Sequence, residues 1–129
     1  MEKPINRFVH GIIDYKYAAL VSAAPELAGF KDEEKTATTL CRVMGSGALM
    51  YSVFTRYELG LFRVMPFKTH LMIDFAANAL AVTAPWLFGF YRNERARNVF
   101  LGAGLLGLAV GSLTQTQEMD ETNPQMLSD

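Results

Sequence analysis

The chain has one cysteine in 129 residues and almost no surplus of either charge. A lone Cys41 excludes an internal disulfide framework and implies no oxidising compartment, so its reading is that of a small apolar packing residue. Twelve Lys and Arg stand against 13 Asp and Glu, a net charge of −1, which excludes the basic stripe of a nucleic-acid binder. The opening MEKPINRFVH lacks the apolar core of a signal peptide, and Asp14 and Lys16 interrupt the first hydrophobic stretch. Chemistry-bearing motifs are missing too. There is no His-x-x-x-His, His-Glu-x-x-His or Glu-x-x-His pair, no cysteine pair and no Ser/His/Asp triad. GSG at 45–47 has no strand before it and no Lys-Ser/Thr after it, so it is read as helix packing and not as a phosphate loop. No catalytic motif, cofactor or metal is assigned.

What is present is a repeat. His10–Phe30 reads HGIIDYKYAALVSAAPELAGF and His70–Phe90 reads HLMIDFAANALAVTAPWLFGF, identical at ten of 21 positions under an ungapped shift of 60. Chance gives about one or two such identities, so the chain is one helical unit made twice. Four helices are expected, at about 8–25, 41–57, 69–89 and 97–115, within a single domain. Repeat one covers about 8–58 and repeat two about 68–118, and an acidic polar tail follows at 119–129. Each first helix ends in Ala-Pro-x-Leu-x-Gly-Phe: Pro25, Gly29 and Phe30, then Pro85, Trp86, Gly89 and Phe90. Proline weakens a last turn and glycine supplies a left-handed stop. The second helices align less cleanly. A shift of 57 pairs Gly45, Gly47, Leu49 and Val53 with Gly102, Gly104, Leu106 and Val110, whereas a shift of 60 pairs Ser52 and Glu58 with Ser112 and Glu118.

Hydropathy points to a membrane. Asn98–Gln117 is a 20-residue run without charge, Phe75–Tyr91 is another of 17 and Val43–Thr55 adds 13. A span needs about 20 mostly apolar residues. Ala103, Gly107 and Gly111 recur at a spacing suited to close helix approach. Against this stands a mean hydropathy of only +0.12. The expectation is a four-helix transmembrane bundle in the bacterial inner membrane, multi-pass, with the bilayer as its partner. Self-association or a membrane-complex partner accompanies it, and nucleic acid does not. Six basic residues fall on each side, so orientation is undetermined.

The heptapeptides Ala-Pro-Glu-Leu-Ala-Gly-Phe at 24–30 and Ala-Pro-Trp-Leu-Phe-Gly-Phe at 84–90 resemble the SPW repeat of small bacterial membrane proteins. Alanine stands where that family has serine, and glutamate replaces tryptophan in the first copy. The resemblance implies four membrane helices and no particular activity.

The repeat sets His10, Asp14, His70 and Asp74 in symmetric positions, with Glu58 and Glu118 at the ends of the second helices. All six are expected near one end of the molecule, about a pseudo-twofold axis. His-x-x-x-Asp places both side chains on one helical face. The favoured reading is a structural polar cluster that stabilises helix ends, in which His10, His70, Arg7, Arg56 or Lys68 partners the glutamates. The function expected is a structural or interaction component of a membrane. One alternative is a membrane protein or enzyme that handles protons or metal through the His/Asp/Glu cluster. The other is a soluble four-helix bundle that binds an apolar ligand.

Overall fold

The computed structural model describes residues 3–119. Its four helices are α1 (Arg7–Ala28), α2 (Lys35–Val53), α3 (Phe67–Leu87) and α4 (Glu94–Ser112). The described residues form an all-α four-helix bundle. α1 packs mainly on α2 and α3 on α4, while α1 also touches α4 and α2 touches α3.

The helices start earlier or run longer than periodicity suggests. Pro25 and Pro85 lie inside α1 and α3 and are buried, so neither proline ends its helix. The stop comes later. Backbone N–H groups of Gly29, Phe30 and Lys31 all donate to the Pro25 carbonyl, at 3.1, 3.0 and 3.1 Å. Gly29 has φ 80° and Gly89 φ 78°, the left-handed conformation that glycine adopts without a Cβ penalty. The stretch 31–40 is not a linker throughout, because α2 begins at Lys35: its charged first turn is solvent-facing and Ala37 is fully buried. Asn6 and Asn93 cap α1 and α4, their side chains accepting from Val9 and Ala96 N–H.

Across α2 and α4 the register is a shift of 59, between the trial alignments at 57 and 60, whereas Glu58 and Glu118 beyond the helices keep the shift of 60 and meet Arg7 and Phe67. The two helices have equal length, 19 residues, and their bounds differ by that shift. Gly45 approaches Ala18 and Ser22 of α1, and Gly104 approaches Asn78 and Val82 of α3. A Cβ on Gly45 would stand 2.9 Å from the Ala18 carbonyl oxygen, and one on Gly104 would stand 2.8 Å from that of Asn78. These two glycines therefore set the closeness of each hairpin.

The membrane reading is overturned. No helix among the described residues is long and apolar enough to cross a membrane. The physical reason is register: uncharged runs and helices do not coincide. Asn98–Gln117 begins four residues inside α4, after Glu94, Arg95 and Arg97, and runs past its end at Ser112. Phe75–Tyr91 likewise outlasts α3, whose first half carries Lys68, His70 and Asp74. The transmembrane class, the multi-pass inner-membrane location and the membrane-component function go with it.

Two apolar clusters divide the interior. Val21, Ala24, Phe30, Cys41, Ala81, Ala84, Phe90 and Phe100 pack around the heptapeptide turns. Phe30 and Phe90 are fully or almost fully buried and belong to the core, whereas Trp86 is half exposed. At the other end Tyr57, Phe67 and Leu71 form a smaller cluster beside the histidines.

Two short backbone pairings close this second end. Ile5 bridges to Thr114 after α4, and Met65 bridges to Thr55 after α2. Ile5 N–H donates to the Leu113 carbonyl (3.1 Å) and the Ile5 carbonyl accepts from Gln115 N–H (2.8 Å), while Met65 N–H donates to the Phe54 carbonyl (2.8 Å) and the Met65 carbonyl accepts from Arg56 N–H (2.8 Å). The second set repeats the first under the 59- and 60-residue shifts, which brings the start of each first helix against the end of the other repeat's second helix.

Candidate functional site: a buried His2Asp2 cluster

The first turns of α1 and α3 meet where those pairings hold them, and there the four repeat-related side chains converge. His10 Nε2 lies 3.1 Å from Asp14 Oδ1 and 3.0 Å from Asp74 Oδ2. His70 Nε2 lies 2.9 Å from Asp14 Oδ2 and 3.2 Å from Asp74 Oδ2. Each imidazole therefore faces one carboxylate of its own helix and one of the other repeat. One ligand atom from each of the four residues lies within 4.8 Å of the other three. His10 and His70 are buried, with 1% and 0% exposure.

The outer nitrogens are held just as symmetrically. His10 Nδ1 is 2.9 Å from Thr114 Oγ1, and His70 Nδ1 is 2.8 Å from Thr55 Oγ1. Both hydroxyls stand 2.6 Å from a carbonyl one turn back, Val110 for Thr114 and Tyr51 for Thr55. Oxygens that close need the hydroxyl proton between them, so each threonine donates to its carbonyl and accepts from the imidazole. Nδ1 consequently carries a proton in both rings, and both Nε2 atoms point inward.

Tyrosines break the symmetry. The Tyr51 hydroxyl donates to Asp74 Oδ1, and Tyr57 donates to Asp14 Oδ2 at 3.0 Å. Asn78 donates to the Asp74 carbonyl at 2.7 Å and accepts from the Tyr17 hydroxyl at 2.9 Å. Gly107 makes room for that carboxamide, since a Cβ there would collide with it.

Electrostatics follow from this packing. Burial pulls the His10 imidazole down, but the hydrogen bonds and charges of Asp14 and Asp74 outweigh it and raise it from 6.5 to about 9. His70 is raised against its burial by the same two carboxylates. Burial opposes ionisation of Asp74 as well, yet the two imidazoles hold its carboxyl below the usual range. Burial, with the nearby Asp74 charge, pushes the Tyr17 phenol up to about 12 and also raises that of Tyr51.

Glu58 and Glu118 are not in the cluster. They lie beyond the ends of α2 and α4 and serve the starts of α1 and α3 instead. Glu58 pairs with Arg7, the first residue of α1, at 2.7 Å. Glu118 accepts from the backbone N–H groups of Phe67 and Lys68 at 3.0 and 2.7 Å, at the positive end of the α3 dipole. A carboxylate is unfavourable at the negative end of its own helix, and the neighbouring helix N-terminus compensates for it.

Thr55, Thr114, Tyr51 and Tyr57 were not legible as site residues. The threonines are related only by the 59-residue shift, and the tyrosines have no repeat partner.

Beside the cluster is a cavity of about 60 Å³. His10, Asp14, Asp74, Asn78, Tyr17 and Tyr51 form its polar floor, and its walls include Ile13, Met44, Leu106 and Val110. One water needs about 10–15 Å³ of such space, so the cavity has room for several waters or a small organic group. No family model, curated protein or solved structure matches the chain.

Proposed function

We propose that this chain is a small-molecule-binding four-helix bundle, taking a ligand with an apolar body and a hydrogen-bonding head. The observation that carries this is the cavity between the hairpins, with apolar walls and convergent polar groups at its floor. That combination is the usual composition of a ligand pocket. The head meets the Tyr17 and Tyr51 hydroxyls, Asn78 and Asp74, while the body lies against Ile13, Met44 and Val110 and leaves past the exposed Leu106.

The test is an NMR titration with butanol, butylamine and p-cresol. At least one is expected to shift saturably the methyl resonances of Ile13, Ala48, Ala77 and Val110. Ala77→Leu narrows the cavity from the half-buried wall of α3 and is expected to abolish the shifts with helicity intact. Shifts that none of the three probes produces, or that Ala77→Leu leaves unchanged, reject the reading.

A further inference from the structure

We infer that His10, Asp14, His70 and Asp74 form a binding site for one divalent transition-metal ion, reached through the cavity and oriented by Thr55 and Thr114. The inference concerns the cluster itself and holds whether or not the cavity takes an organic ligand.

Three observations converge. The first is the ligand set: two inward imidazole nitrogens and two carboxylates within 4.8 Å of one another. Two N and two O donors suit Zn²⁺, Fe²⁺ or Mn²⁺, and zinc sites are tetrahedral with bonds of about 2.0–2.2 Å. Such a site sets neighbouring ligand atoms roughly 3.4 Å apart. The four imidazole-to-carboxylate distances are 2.9–3.2 Å and one ligand atom from each residue lies within 4.8 Å of the others, so an ion needs the short contacts to open by a few tenths of an ångström and the widest pair to close.

The second is a buried nitrogen without a hydrogen bond. His70 is 0% exposed, and its Nε2 has no hydrogen-bond partner although Asp14 and Asp74 oxygens lie 2.9 and 3.2 Å away. Neither contact has the direction of a hydrogen bond. A buried nitrogen that faces two carboxylates yet makes no hydrogen bond to either calls for an explanation, and a cation held between them supplies one.

The third is the outer shell. Metal-bound histidines nearly always donate their other N–H to an acceptor that fixes tautomer and ring orientation. Thr55 and Thr114 do this here, each held by its own carbonyl contact at 2.6 Å. On binding, the ion displaces the Nε2 proton of each ring to solvent, and each neutral Nδ1–H imidazole then offers its Nε2 lone pair inward, beside two carboxylates. One divalent ion bound by two such rings and two carboxylates makes a site of zero net charge, the condition under which burying ions is tolerable. Entry has a route, because His10, Asp14 and Asp74 line the cavity.

The experiment uses the whole chain, freed of metal by chelation and titrated with Co²⁺ and Zn²⁺. One Co²⁺ per chain is expected, with the intense visible absorption of a low-symmetry four-coordinate site, displaced by Zn²⁺. His10→Ala and His70→Ala are each expected to abolish it. Thr55→Val and Thr114→Val keep all four ligands and are expected to weaken binding about 10–100-fold. In ¹⁵N-histidine spectra of the wild-type protein, Zn²⁺ is expected to shift both Nε2 signals while Nδ1 stays protonated. That readout decides the matter even if the alanine variants fail to fold. A folded wild-type chain that takes up no stoichiometric ion overturns the inference. So does binding that survives both histidine substitutions or leaves the Nε2 signals unmoved. In those cases the cluster is a metal-free network of imidazolium and carboxylate.

Discussion

At the residue scale, the His2Asp2 cluster couples stability to charge. Removing one partner of a buried ion pair leaves the other uncompensated and costs about 3–5 kcal/mol. Asp74 faces both imidazoles and accepts from Tyr51, so Asp74→Asn is expected to destabilise the metal-free protein by about that amount in urea melts. Its pH dependence has a defined sign. The folded His10 value of about 9 exceeds the ordinary 6.5, so its contribution is full below pH 6.5 and is lost as pH rises through 9. Asp74 is shifted downward from 3.8, so its contribution is present above 3.8 and is lost as pH falls through its folded value. Melting temperature in chelator is therefore expected to peak between about pH 4 and 6.5 and to fall on the alkaline side. A His10→Gln variant is expected to lose most of the alkaline slope. A flat wild-type profile from pH 6 to 9 would show that the histidines do not titrate as pairs with the aspartates.

At the element scale, glycines separate into those that set helix spacing and those that do not. A Cβ on Gly104 would stand 2.7 Å from Val82 Cγ2 and 2.8 Å from the Asn78 carbonyl oxygen, whereas one on Gly102 meets nothing within 4 Å. Gly104→Ala is expected to cost about 1–3 kcal/mol by forcing α4 off α3. Gly102→Ala, on the exposed face of the same helix, is expected to stabilise by up to about 1 kcal/mol through helix propensity. Chemical denaturation of the pair checks both signs. Gly29 belongs to a different class: at φ 80° its constraint is the backbone, and Gly29→Val is expected to cost about 1–2 kcal/mol. The heptapeptide turns thus act as stops, while Pro25 and Pro85 are absorbed into the helices they were expected to weaken.

At the scale of the whole molecule, the two hairpins are joined by the apolar cluster around the heptapeptide turns and, at the other end, by polar contacts. The pairings of Ile5 with Thr114 and of Met65 with Thr55 stitch one repeat to the other, and His10–Asp74 and His70–Asp14 cross between α1 and α3. A double-mutant cycle on His10→Ala and Asp74→Ala is expected to show a coupling of about 0.5–3 kcal/mol. The mirror cycle on His70 and Asp14 is expected to match it. Near-zero coupling in both would mean that the hairpins are held together by their apolar faces alone.

Local patterning was enough for the helical class, the twofold repeat and the left-handed glycines, because these depend on neighbours a few residues away. The correspondence of His10 with His70 and of Asp14 with Asp74 was likewise written in the first helices, whose 60-residue shift is unbroken. The second helices concealed theirs: a one-residue difference moves their register to 59, so the match of Thr55 with Thr114 shows only in their equivalent contacts with His70 and His10. Composition also misled, because uncharged runs were taken for helices when α4 begins and ends elsewhere. What Glu58 and Glu118 touch, which imidazole nitrogen faces inward, and the space beside Gly107 were decided only by tertiary structure. Each depends on groups some 50 to 100 residues apart, brought together by the packing of one hairpin on the other. No local period along the chain encodes that packing.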